Sequence, residues 1–324
     1  MKTPEQINEI IEYGTKAPSG HNTQPWKFLV KENEIQIHPD FDRELPIVDP
    51  DNHALYISLG CAAENMLLAA KHFGYECTVN VVTNDKNISF IKLLLNQTGS
   101  VERDNLFDYI NIRQSTRNLY TNDKVSSSNI AALQESFNFK GIEILMFTTA
   151  EEIEKLETFI IEGSNRQFQN KDFVKELVSW IRFSKKEVAQ KRDGIWQASM
   201  GMPGVGRTLG NIIMKKFVSA SSEAKRWKKQ IEASAGFALF TVEKNDVAHW
   251  VLLGRAFQRF GLTATQLNIS HAHVNMPCEE IQVRNKMAKQ FELTGHPLLL
   301  IRFGYSKKMP YSYRRPLADV LETP

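Results

Sequence analysis

Apolar positions along this chain alternate between helical and strand spacing, and the alternation divides it into elements. Ile7, Ile10 and Ile11 keep a helical period to about residue 16, behind Thr3 and Pro4, a cap and first-turn pair. A turn at Pro18 to Gly20 ends that helix. Trp26 to Val30 and Ile35 to His38 are short apolar runs split by Lys-Glu-Asn-Glu, which predicts a hairpin. His53 to Phe73 is rich in Ala, Leu, Met and Cys and predicts a long helix buried on most sides, with Gly74 as its C-cap. Cys77 to Val82 reads as a buried strand and Ile88 to Leu95 as another.

Further along, 102–112 predicts a helix leading into Arg113, Ser126 to Phe137 a second, and Ile142 to Phe147 a strand. Residues 151–190 read as two charged amphipathic helices forming an inserted arm. The stretch 194–210 carries Gly194, Gly201, Pro203, Gly204, Gly206 and Gly210 and is expected to be a long loop, of the kind that serves as a lid. Ser221 to Ser234 and Val247 to Asn268 read as helices, Gly236 to Val242 and Pro297 to Phe303 as strands, and Pro310 to Pro324 as an extended tail.

One internal repeat stands out. Leu59-Gly60-Cys61-Ala62-Ala63-Glu64 parallels Leu253-Gly254-Arg255-Ala256-Phe257-Gln258, and Leu68 and Ala70 continue the match against Leu262 and Ala264. Both copies follow strand patterns, which favours a duplication with its boundary near residue 112.

Composition narrows the function classes. In 324 residues, 42% are apolar, 24% charged, and the net charge is +3. Basic and acidic residues are interleaved, which argues against a nucleic-acid stripe. The three cysteines, Cys61, Cys77 and Cys278, have no metal-ligand spacing; Cys61 and Cys77 are expected as small core residues in a reducing compartment. The N-terminus lacks the apolar stretch of a signal peptide, and no apolar run reaches the length of a membrane span. A cytoplasmic protein is expected.

Two motifs carry chemistry. The first is Ala17-Pro18-Ser19-Gly20-His21-Asn22-Thr23-Gln24-Pro25-Trp26. Pro18 and Gly20 fix a turn that leaves Ser19, Gly20 and Asn22 to offer donors and acceptors to the edge of a planar heterocycle, while Gln24 braces the loop and Trp26 buries its ring beneath it. The second is Arg113-Gln114-Ser115-Thr116-Arg117. Two arginines flanking a hydroxyl can fork onto one phosphate. The tail adds Tyr313-Arg314-Arg315-Pro316-Leu317.

These motifs resemble the nitroreductase superfamily, although in ordinary members the Arg-x-Ser-x-Arg run precedes the Asn-x-Gln-Pro-Trp run. With Arg43-Glu44-Leu45-Pro46-Ile47-Val48-Asp49-Pro50 and the closing Arg-Arg-Pro-Leu-Ala-Asp-Val-Leu, the closer resemblance is to its Acg-type branch, whose members are fused double units of about this length. The resemblance covers about 7–147 and 235–321. It implies an α+β fold, a sheet with helices on both faces, in two fused half-units forming a pseudo-dimer. The halves would be 1–112 and 113–324, the second carrying the arm and lid-like loop at about 150–234. It implies FMN as cofactor, NAD(P)H and a small-molecule electron acceptor such as a nitroaromatic or quinone as partners, and a monomeric pseudo-dimer or a homodimer. Neither nucleic acid nor membrane is an expected partner.

By the same resemblance Pro18, Ser19, Gly20 and Asn22 would line the flavin ring. Arg113, Gln114, Ser115 and Arg117 would bind ribityl phosphate and ring oxygens, and Arg314 would close on the phosphate. Each signature occurs once, so one flavin per chain is expected rather than two. Asn268 to Asn275, with His271 and His273, departs from the usual loop over the flavin edge and leaves the hydride-accepting environment and the catalytic residues open. The two histidines have no neighbouring Cys or paired acid motif and carry no metal reading. Gly201 to Gly210 lacks the Gly-Lys-Ser/Thr ending of a nucleotide loop. The rival to an oxidoreductase is a protein that stores or sequesters FMN without turnover, which a closed lid would favour.

Overall fold

The computed structural model describes residues 4–98, 103–217 and 219–322; Thr3, residue 102, Glu-Thr-Pro beyond Leu321 in part (residues 323–324) and their predicted roles lie outside them. The first region runs α1 (Pro4–Thr15), β1 (Trp26–Lys31), β2 (Glu34–Pro39), α2 (His53–His72), β3 (Tyr75–Thr83) and β4 (Ser89–Gln97). Next come α3 (Ser127–Gln134), β5 (Ile142–Phe147), α4 (Ala150–Gln169), α5 (Lys171–Trp180), β6 (Ile181–Arg182), α6 (Lys185–Lys191), β7 (Ile195–Trp196), α7 (Arg207–Phe217), α8 (Ala220–Glu232), β8 (Gly236–Val242), α9 (Val247–Gln266), β9 (Ser270–His273), α10 (Met276–Glu279), α11 (Ile281–Gln290), β10 (His296–Gly304), α12 (Leu317–Val320) and β11 (Leu321–Glu322). The architecture is α+β.

Two main sheets share one strand order. The first reads β11-β1-β2-β4-β3 and the second β5-β8-β10-β9, so each places its own first, second, fourth and third strands side by side. The pairings within these strands are antiparallel; β11 alone joins β1 in parallel, which returns the end of the chain to the first sheet. The connections differ. Glu32 and Asn33 turn β1 into β2, whereas the whole arm from residue 148 to 235 separates β5 from β8.

The long helices α2 and α9 cross between the sheets, and the repeated glycines are the reason they can. A Cβ on Gly60 would lie 2.1 Å from the Val251 carbonyl oxygen, and one on Gly254 would lie 2.0 Å from that of Ile57. Ile57 precedes Gly60 by the same three residues that separate Val251 from Gly254, so one contact is made twice, as across a twofold axis. A second contact obeys the same relation. Gln258 Nε2 donates to Asn65 Oδ1 at 2.6 Å, and Arg259 Nη1 bonds Glu64 Oε1 at 2.9 Å; Gln258 stands in the repeat where Glu64 does, and Arg259 where Asn65 does. Around this crossing the apolar faces of both sheets merge into one core containing Trp26, Phe28, Phe257 and Phe260.

Several sequence expectations need correction. The 102–112 helix is a single 3-10 segment, Asn105–Tyr109, capped by the Asp104 carboxylate on the Leu106 N–H. The arm holds three helices where two were expected, because Asn170 and Ser184 each cap a new one. The glycine-rich 194–210 stretch is not a continuous loop: β7, a 3-10 turn over Gln197–Met200 and the start of α7 occupy most of it. β3 alternates buried and exposed positions, and Cys77 is half-exposed rather than core. After α9 the chain turns at Asn268, in a left-handed conformation at φ 57°, and His271 and His273 fall on β9.

Candidate functional site

The site gathers four distant segments: the loop 17–24, the run 113–118, the arm near 192–196 and the tail 309–315. In the loop, α1 stops at Thr15 and the Ala17 N–H bonds the Gly14 carbonyl before Pro18. His21, Asn22 and Gln24 all take positive φ, 46°, 56° and 54°. Of the three, Gln24 is a residue type that rarely adopts that region, so the loop stores strain that surrounding bonds must hold. Ser19 Oγ accepts from the Gln24 N–H at 2.9 Å. Gln24 Nε2 donates to the Arg192 carbonyl at 2.9 Å, and its Oε1 accepts from the Arg315 N–H at 2.7 Å. Trp26 is fully buried below.

Asn22 is not free. Its Nδ2 donates to the Gly194 and Tyr313 carbonyls at 3.1 and 3.2 Å, and its Oδ1 accepts from Arg314 Nη1 at 3.0 Å. It therefore joins loop, arm and tail. Gln114 is spent likewise: its amide brackets the Met309 backbone, at 3.0 Å to the carbonyl and 2.6 Å from the N–H. The run 113–117 is pinned to β9 by a bridge between Ser115 and His271 and by the Thr116 N–H on the His271 carbonyl at 2.9 Å. Pro18 is buried, while Ser19, Gly20 and Ser115 are partly exposed.

Charge sets this site apart. Arg113, Arg117, Arg314 and Arg302 of β10 lie near one another, and among the described residues none forms an ion pair. Arg113 Nε and Nη1, Arg314 Nε, and Arg302 Nε and Nη1 are buried with no hydrogen-bond partner. Burial, and then repulsion from Arg117, lower the Arg113 guanidinium to about 10, with Cys61 and Tyr311 opposing. Burial followed by Arg113 and Arg117 lowers Arg314 to about 9. Arg117 is lowered by burial and by Arg302.

Three histidines share the field. His21 falls to about 4 through burial and Arg117, and His273 to about 3 through burial, Arg117 and Arg113. His271, with neither ring nitrogen partnered, falls well below its usual value for burial and Arg113. All three are neutral near pH 7. An unpaired buried cation costs on the order of several kcal/mol, a cost that an anion held among these guanidiniums would offset. A phosphate dianion fits this donor set.

The arm covers the site. The Gly194 N–H bonds the Asn22 carbonyl at 3.1 Å, Arg192 Nε donates to the Arg314 carbonyl at 2.8 Å, and the Trp196 ring meets Tyr313 edge-on at 5.9 Å. Asp193 anchors the arm, accepting from Arg182 at 3.0 and 2.7 Å and pairing with Arg43. Gly194 must be glycine: φ is 74°, and a Cβ would lie 2.4 Å from the Trp180 carbonyl oxygen.

No family model matches the chain. A curated protein of Mycobacterium tuberculosis (strain ATCC 25618 / H37Rv), named "Putative NAD(P)H nitroreductase Rv3131", is 23% identical over 331 residues, spanning 99% of this chain and 92% of the relative. Along almost its whole length the chain is thus similar to a curated nitroreductase. A shorter match of 84 residues at 25% identity joins the chain to a relative of the same organism named "Putative NAD(P)H nitroreductase acg", over 26% of this chain and 25% of the relative. Among solved structures, the FMN-dependent nitroreductase NfnB from Mycobacterium smegmatis in complex with NADPH overlaps it with a TM-score of 0.43 at 14% identity, covering 67% of this chain and 96% of that one.

Sequence reasoning missed Arg302, His21 and the Arg192–Asp193 anchor. Arg302 sits in an apolar strand with no motif around it. His21 lies inside the first motif, and its neighbours on both sides drew attention instead. The distinction between Arg314 and Arg315 was also hidden. Arg315 bonds Gln24 and the Asp40 carboxylate, 3.4 Å away, while Arg314 has no carboxylate partner among the described residues.

Proposed function

We propose that the protein is an FMN-dependent oxidoreductase, with one FMN per chain, that takes hydride from NAD(P)H and passes it to a small acceptor of the nitroaromatic or quinone type. The observation that carries this reading is the cluster of arginines 113, 117 and 314, the first buried and the other two half-buried, with no carboxylate partner among the described residues. The full-length relative named as an NAD(P)H nitroreductase supports the reaction class. FMN supplies reversible hydride acceptance when bound. Arg113, Arg117 and Arg314 would hold its phosphate, and the strained loop at Pro18, Ser19 and Gly20 would face the ring. Asn22 fixes Arg314 by accepting a hydrogen bond from its Nη1, and Gln114 and Ser115 hold the Arg113–Arg117 run against tail and β9. His21, His271 and His273, neutral, can donate or accept hydrogen bonds but cannot protonate an acceptor near pH 7.

The two regions are read as halves of a duplicated unit with a boundary near residue 112. The shared strand order and the twice-made helix contact support that reading. One observation favours the rival, an FMN-storing protein: the arm is bonded across loop and tail at Gly194, Arg192 and Trp196. The visible spectrum of the purified protein tests the first step and anaerobic addition of NAD(P)H the second. A yellow protein that NAD(P)H bleaches, and that an acceptor restores, supports the oxidoreductase. A yellow protein that stays oxidised supports storage, and a protein that takes up no flavin overturns both.

A further inference from the structure

Residues 116–118 show how Arg117 is held. Their three consecutive carbonyls all accept from side chains. Arg302 Nη2 donates to the Thr116 and Asn118 carbonyls at 3.4 and 2.8 Å, the Tyr120 hydroxyl also donates to the Thr116 carbonyl at 3.0 Å, and Gln230 Nε2 donates to the Arg117 carbonyl at 3.2 Å. The Arg302 guanidinium carbon lies over the Tyr120 ring, 3.9 Å from its centre. Arg302 is 1% exposed, and its Nε and Nη1 have no partner. Strand alternation puts it on the sheet face of Leu300, towards the arm, away from Ile301 and Phe303. A neutral side chain could fill this apolar face at lower cost, so a buried cation here calls for a use.

We propose that Arg302 is a positioning residue for the anion site: it clamps the 116–118 turn from behind, aims Arg117 into the site, and adds an uncompensated charge to it. The proposal rests on the reading of that site as an FMN phosphate site. The test compares full-length wild type with Arg302→Met and Arg302→Lys, titrating each with FMN and with riboflavin at low and high salt. Arg302→Met is expected to weaken FMN roughly tenfold, the size of one lost hydrogen bond to a charged group, and to leave riboflavin unchanged. Arg302→Lys keeps the charge without the two-carbonyl fork, so it is expected to recover the salt dependence but only part of the affinity. A merely structural role would weaken both flavins alike. An unchanged FMN-to-riboflavin ratio in Arg302→Met overturns the proposal. If that variant does not fold, Tyr120→Phe and Gln230→Ala each remove one bond of the same clamp, and an unchanged ratio in both overturns it equally. A wild type that does not prefer FMN would instead remove the underlying functional reading.

Discussion

Two groups of arginines lie within this molecule, and their partners differ completely. Arg255 and Arg259 on α9 meet the Glu64 carboxylate, each at 2.9 Å, and Arg259 also forks onto Asp104 at 3.0 Å through both terminal nitrogens. They border a cavity of about 250 Å³ with Lys71, Asn138 and Phe139. Burial lowers the Arg259 pKa, but Glu64 and Asp104 outweigh it and raise the group above its usual value. Among the described residues Arg113, Arg117 and Arg314 have no carboxylate partner, and all three are lowered. One group is a brace that carries its own counterions. The other, under the proposed function, is completed by an anion from outside.

Stability should separate the two groups most sharply. Glu64→Ala leaves Arg255 without a carboxylate and Arg259 with Asp104 alone, and is expected to cost about 3–5 kcal/mol in urea unfolding, with the FMN-to-riboflavin ratio unchanged. Arg113→Met removes an uncompensated buried cation, so the flavin-free protein is expected to unfold no more easily than wild type. A comparable loss from Arg113→Met would break the comparison.

Affinity gives the next largest effect. Arg117→Ala or Arg314→Ala is expected to weaken FMN by about one to two decades, since each charge-assisted bond contributes roughly 1.5–3 kcal/mol. Riboflavin, lacking the phosphate, should respond much less. Equal weakening of both would place these side chains away from the phosphate.

A third expectation concerns pH and a group outside both sets. Burial opposes the charge on His53, but Asp49 and Asp51 at 3.0 and 2.5 Å overcome it and raise the group to about 9. A raised folded-state pKa contributes stability that is fully present below the unfolded value near 6.5 and lost as pH rises through about 9. Unfolding midpoints should therefore fall across that window in wild type, and His53→Gln should flatten that part of the profile. The same slope in the variant would assign the effect elsewhere.

The smallest expected effect is at the arm. Trp196→Ala removes the ring that meets Tyr313 and is expected to speed reduction by NAD(P)H modestly without loss of flavin. Unchanged reduction rates in a folded, yellow variant would show that this contact does not gate the site.

Much of the fold was legible because periodicity reports burial directly. The hairpin at 26–38, α2, α9 and β10 each present one apolar face or none but apolar ones, and the Leu-Gly-x-Ala repeat marks the close crossing itself. The 194–210 stretch misled because glycine serves two purposes: Gly194 and Gly201 take left-handed turns between short ordered pieces, at φ 74° and 76°, where the sequence suggested continuous mobility. Within the site, the motif arginines could be named from sequence, but their lack of carboxylates could not. Pairing is a property of space: Arg255 and Arg259 find Glu64 nearly two hundred positions away, and nothing local distinguishes them from Arg113 and Arg117. Arg302 was invisible for the same reason.

The central claim is that the unpaired arginines await one phosphate-bearing flavin. Calorimetric titration of the flavin-free protein with FMN, repeated with riboflavin as competitor, tests it most directly. The account predicts saturation at one FMN per chain and a preference for FMN over riboflavin of roughly two decades or more. Saturation at two FMN per chain, or equal affinity for the two flavins, would contradict it.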